Sequence, residues 1–181
     1  IARTMASNTL LAGVTQFLKE HPPFSMMADA DVEFVARSVE VAYYARGEVL
    51  IGPDDGAPAA CFIIKQGLVE GLRRRPDRPE AELEPTVQRV PGEMLPISAL
   101  MAQRPVMSTY RAAGDVFCWL LPKARFDELL QRSPVFLDFC KRRMASLLDR
   151  SHQALQASYA AGTTHWRSIN APLESMLGRA P

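Results

Sequence analysis

The 181-residue chain is short of several things, and each shortage removes a class of protein. It has three cysteines, Cys61, Cys118 and Cys140. Each sits alone in an apolar stretch without CxxC spacing, so neither a disulfide framework nor a zinc knuckle is expected, and a reducing cytoplasm is the expected setting. Charge of one sign is also missing: 21 basic side chains face 20 acidic ones, for a net charge of +1. Nucleic-acid binders gather a basic excess on one face, so no nucleic-acid partner is expected. The three histidines, His21, His152 and His165, lie outside the strand-forming region where a metal cluster would form, and no metal or cofactor is expected. GxSxG, GxGxxG, P-loop and HExxH patterns are absent, which argues against an enzyme. The longest apolar runs, such as Val116 to Leu121, fall far below the roughly 18 residues a membrane span requires. The amino end lacks the apolar core of a secretory signal, so a cytoplasmic location without membrane contact is expected. Opening on Ile1 rather than Met, the chain is expected to be a piece of a longer protein or to carry added residues at its start.

What is present is an ordinary globular composition, 48% hydrophobic and 23% charged, long enough for one well-filled core. Three regions differ in periodicity. In the first, Leu10, Leu11, Val14, Phe17 and Leu18 recur at helical spacing until His21-Pro22-Pro23 stops them. A short helix follows, with Asp29 as its expected cap, Asp31 and Glu33 in its first turn, and Val32, Val35 and Val39 as its buried stripe. Short apolar runs punctuated by Gly and Pro then fill the chain from Val39 to Leu121. They span Val39 to Tyr44, Glu48 to Ile51, Cys61 to Ile64, Leu68 to Leu72, Thr86 to Val90, Ser108 to Ala112 and Val116 to Leu121. Seven or so strands at this spacing leave no room for crossover helices, so an antiparallel sandwich or roll is predicted. The mixed-sign run from Arg73 to Glu80 between two of them has the makeup of a solvated loop.

The third region is helical again. Phe126, Leu129 and Leu130 share a face between Pro122 and Gln131, and Ser133-Pro134 has the form of an N-cap followed by proline at the first helical position. From there Leu137, Cys140, Met144, Leu147, Ser151, Ala154 and Ser158 fall at alternating steps of three and four, with Leu148, Leu155 and Tyr159 widening the stripe. Such a seam suits packing on its own domain or pairing with a second copy of the helix. Gly162-Thr163-Thr164 breaks the pattern. The expected organisation is an N-terminal helical lead over 1–16, one domain over 17–160 that includes the long helix, and a linker with the start of a further module over 161–181.

The order of elements, with glycines at the strand turns, resembles the cyclic nucleotide-binding domain of the catabolite activator protein superfamily. The residues that carry the resemblance are Ala45-Arg-Gly47-Glu-Val-Leu-Ile, Gly56, Cys61-Phe-Ile-Ile-Lys-Gln-Gly67-Leu-Val-Glu70 and Pro91-Gly92-Glu93. It implies an α+β fold: an antiparallel, jelly-roll-like β-roll of about eight strands flanked by N-terminal helices and a long C-terminal helix. It also implies a ligand cassette of the form Gly-Glu, short helix, Arg-Ser/Thr-Ala, in which the Glu takes the ribose hydroxyl and the Arg the cyclic phosphate. Anchored on Ala99-Leu100 and Arg111-Ala112, this chain has Pro96 at the family's Gly, Ile97 at its Glu, Val106 at its Arg and Met107 at its Ser/Thr. Hydrogen bonds to charged groups contribute about 1.5 to 3 kcal/mol each, so losing the two charged contacts weakens binding on the order of 10²-fold or more. The candidate pocket comprises Leu95, Pro96, Ile97, Ser98, Ala99, Arg104, Val106, Met107, Ser108 and Thr109, apolar and unsuited to cyclic AMP.

A narrower resemblance is to a bacterial subgroup in which such a domain precedes a CBS pair and a nucleotidyltransferase-like module. It rests on His21-Pro22-Pro23-Phe24, Arg104-Pro105-Val106, Thr109-Tyr110-Arg111-Ala112, Phe117-Cys-Trp-Leu-Leu-Pro122, the run from Ser133 to Cys140, and Ala171 to Pro181 as the opening of a CBS-like module. The implied function is a regulatory sensor in signal transduction, with a nucleotide or small metabolite as possible ligand. The implied homodimer forms through Leu137, Cys140, Met144, Leu147, Leu148 and Leu155 of the long helix. The alternative is an interaction or dimerisation module without a small-molecule ligand, using Met94, Met101 and Met107 as an adaptable apolar groove.

Overall fold

The computed structural model describes residues 2–73 and 84–177. The chain divides into two units, Ile1–Lys141 and Arg142–Pro181. In the first, α1 (Ala2–Lys19) leads through a 3-10 turn (Phe24–Met26) to α2 (Asp29–Ser38), and among the described residues eight strands, two further helices and the start of a last helix follow; the rest of that helix makes up the described part of the second unit. The strands are β1 (Glu40–Tyr44), β2 (Val49–Ile51), β3 (Ala60–Gln66), β4 (Val69–Arg73), β5 (Glu84–Arg89), β6 (Met94–Leu95), β7 (Thr109–Ala112) and β8 (Val116–Pro122). α3 (Ile97–Ala102) sits between β6 and β7, α4 (Lys123–Arg132) follows β8, and α5 (Pro134–Leu177) is 44 residues long.

The strands form two four-stranded antiparallel sheets, ordered β1-β8-β3-β6 and β2-β7-β4-β5. The α+β roll expected from the strand spacing and the family resemblance is the fold observed. Alternation along β8 shows how it is filled. Val116 and Cys118 point between the sheets, into a cluster with Leu50, Ile64, Val69 and Ala112, while Trp119 and Leu121 point outward into a second cluster. α1, α2, α4 and the first turns of α5 cover that outer face, with Leu18, Val32, Phe126 and Phe136 fully buried. Trp119 meets Phe17 edge-on at 4.9 Å, and Phe126 meets Phe136 edge-on at 5.5 Å. Gly67 makes the turn between β3 and β4 with φ +95, and a Cβ there would run into the carbonyl of Asp115, so only glycine fits.

Three local expectations are corrected. Asp29 is not the cap of α2: Ala28 takes that position in extended conformation, and Asp29 lies inside the first turn, paired with Lys19 at 2.8 Å. β6 went unseen because two residues are too few for a period to register. Gly162 does not end the last helix, which runs on to Leu177. The Ser133-Pro134 start is as expected, with the Phe136 N–H donating to Ser133 Oγ at 3.3 Å. Of the charged run at Arg73 to Glu80, only Arg73 falls among the described residues; the last four residues of the CBS-like segment also lie outside them. Among the described residues, no helix is long and apolar enough to cross a membrane.

Candidate functional site

The loop that carries ligands in the resembled family begins at Gly92, whose φ of +88 turns the chain out of β5. Its N–H donates to the Ile64 carbonyl at 2.8 Å, and Ile64 N–H donates to the Glu93 carbonyl at 3.0 Å, tying the turn to β3. The His21 ring lies against Gly92 where any Cβ would overlap it. That ring also stacks on Phe17 at 4.2 Å between centroids, and its Nδ1 is 2.8 Å from the Phe17 carbonyl. The end of α1 thus rests directly on the entrance to the loop. β6 follows, then a cis Leu95-Pro96 bond, then α3, which Gln103 closes in left-handed conformation at φ 49.

Leu95, Ala99 and Val106 bury their side chains in the cluster between the sheets, and Pro96 is buried beside them in the chain. Ile97 and Met107, expected in the same pocket, do not join that cluster. Ile97 joins Leu100 in the helix-side cluster, because positions 97 and 99 stand about 200° apart around α3 and face opposite layers. Met107 is 61% exposed, in the bend before β7. Ser98, Ser108 and Thr109 are half-buried, and Arg104 is exposed, its backbone N–H closing α3 onto the Ala99 carbonyl at 3.1 Å. The methionines make no common groove: Met94 is buried and Met101 packs in the helix-side cluster, away from exposed Met107.

Two charge pairs near the roll escaped the sequence. Arg89 Nη1 lies 3.5 Å from Glu93 Oε1 at the loop entrance, and Arg111 Nη2 lies 3.6 Å from Glu70 Oε2 between adjacent strands. Only strand register reveals the second pair, in which Glu70 stands opposite Arg111. All three thiols are free and buried. Burial pushes the Cys61 thiol up, with a smaller contribution from Cys140, and raises Cys118 to about 11 and Cys140 to about 12. They are protonated packing groups at neutral pH. Among the described residues, no group of three or more His, Cys, Asp or Glu is placed to hold a metal ion.

The helix residues expected at a dimer seam divide. Cys140 is fully buried in its own domain's helix-side cluster, which removes it from any seam. Leu137 and Met144 are half-buried, Leu147 and Leu155 are exposed, and the Leu148 side chain lies outside what is described.

The model of the cyclic nucleotide-binding domain family matches residues 41–133, from β1 to the cap of α5. That is just over half of the 181 residues, and the chain belongs to this family. Among solved structures, the chain resembles the regulatory domain of Toxoplasma gondii PKA with cAMP, at 15% identity and a TM-score of 0.69, covering 78% of this chain and 52% of that one. The regulatory subunit of a cAMP-independent protein kinase A from Trypanosoma cruzi, bound to guanosine, matches at 20% identity and a TM-score of 0.64, covering 75% and 46%. The sensor domain of the transcriptional regulator DNR from Pseudomonas aeruginosa matches at 15% identity and a TM-score of 0.63, covering 81% and 93%. At these identities the likeness is one of fold, and the chain spans about half the length of the kinase regulatory chains. No curated protein matches.

Proposed function

We propose that the chain is the regulatory sensor domain of a bacterial signal-transduction protein, non-enzymatic and cytoplasmic, whose roll does not take cyclic AMP in the family's usual way. One observation carries this: the two positions that hold the family's Glu and Arg are Ile97 and Val106, 6% and 5% exposed, each built into an apolar cluster. A cyclic phosphate placed there would lose its water and gain no cation. The ligand chemistry such a loop tolerates is uncharged: a nucleoside, as guanosine is on the Trypanosoma cruzi protein, or a neutral metabolite. The CBS and nucleotidyltransferase-like modules of the resembled subgroup are the proposed downstream partners in the full-length protein. Isothermal calorimetry of the chain with cyclic AMP is expected to give no binding heat at micromolar concentrations; a submicromolar Kd would overturn the proposal.

The alternative of a dimerisation module has its own support in α5, where Leu147 on the expected seam and Leu155 and Tyr159 on the face beside it are exposed. Sedimentation equilibrium is expected to give a dimer mass that Leu147→Glu with Leu155→Glu lowers to that of a monomer. An unchanged mass in the double variant would remove the seam.

A further inference from the structure

Across the second sheet, one residue from each strand falls into a single row: Ile51 pairs with Tyr110, Tyr110 with Gly71, and Gly71 with Val87. Ile51 belongs to the cluster between the sheets and Tyr110 packs against it, so the row faces the interior of the roll. Gly71 contributes no side chain to that row. A Cβ at Gly71 would lie 3.2 Å from Tyr110 Cε1 and 3.0 Å from Val87 Cγ1, so ring and methyl have closed in over the missing side chain. A glycine inside a strand often marks a close approach by a ligand or another group. Here the group that approaches is a ring of the protein itself. Leu95, Ala99 and Val106 of the ligand loop bury in the same cluster that Tyr110 packs against.

We propose that Tyr110 is a built-in occupant of the roll. Its ring fills space on the inner face, beneath it lies a latent site floored by Gly71 and flanked by Ile51 and Val87, and the guest that site takes is a flat, uncharged aromatic ring. Entry of a ligand then requires the ring to swing out, which links occupancy to a movement of β7 beside the loop. The proposal deepens the uncharged-loop interpretation and rests on it for the class of guest.

The test is thermal unfolding of the whole chain with and without p-cresol, the free equivalent of the tyrosine side chain. Wild type is expected to show no shift. Tyr110→Ala is expected to melt about 5–10 °C lower, as truncation of a half-buried ring in a domain of this size does. p-Cresol at tenfold its Kd then recovers about 3–6 °C, whereas inorganic phosphate recovers nothing. Tyr110→Leu keeps an apolar filler and serves the same titration where the alanine variant fails to fold, with a smaller but positive shift expected. Variants that melt like wild type, or that fold and ignore p-cresol, overturn the proposal. Cyclic AMP binding by wild type overturns the uncharged loop instead, so the two failures are told apart.

Discussion

Ile97→Glu together with Val106→Arg, the substitutions that introduce a carboxylate and a guanidinium into the loop between β6 and β7, are expected to unfold the domain rather than confer cyclic nucleotide binding. The two positions lie in different clusters: Ile97 packs with Leu100 against the helices, and Val106 packs between the sheets with Leu95 and Ala99. The introduced charges therefore face opposite layers and cannot neutralise each other. An unpaired buried charge costs several kcal/mol, so each single variant is expected to lose about 3 kcal/mol or more, a large part of a typical domain's stability. Urea unfolding followed by circular dichroism measures this. A double variant that stays folded and binds cyclic AMP at micromolar concentration would show instead that the loop is only two side chains away from the family's chemistry.

Phe136→Ala is expected to cost about 3–5 kcal/mol, the range for removing a fully buried aromatic side chain. Phe136 is fully buried, edge-on to Phe126 at 5.5 Å and 6.3 Å from Phe24, so a single residue on the first turn of α5 joins α4 to the turn that follows α1. Ser133 caps that turn, and Cys140, one turn further on, is buried in the same cluster. Met107→Ala, on the exposed side of the ligand loop, is the contrasting change and is expected to stay within about 0.5 kcal/mol of wild type. Chemical denaturation of both variants at equal protein concentration checks the pair. Similar losses would mean that the start of α5 is not anchored in the roll's helical cover.

Element types were legible in the chain because they are local facts. A run such as Val116 to Leu121 can alternate its faces only as a strand, and Ser133-Pro134 can start a helix from its own hydroxyl and fixed φ. That Ile97 and Val106 carry no charge needs nothing beyond their identities. Where a weak local signal met a strong cooperative one, the sequence misled. Gly162 costs a helix about 1 kcal/mol, and a helix that continues to Leu177 absorbs it.

Which cluster each apolar side chain joins was decided only by tertiary packing. Ile97 and Val106 are chemically alike, yet one packs against the helices and the other between the sheets, because the turn of α3 and the path after Pro105 aim them apart. The row Ile51, Tyr110, Gly71 and Val87 is still further from view. It exists because β2, β7, β4 and β5, scattered along the chain, settle in one register. Local sterics and hydrogen bonding choose the element within a few residues, whereas register and facing are settled by contacts between segments distant in sequence. The sequence alone therefore determined the class of fold, an antiparallel roll carrying the family's turn glycines, and the tertiary structure decided which apolar side chains fill its interior, with Tyr110 packed against them.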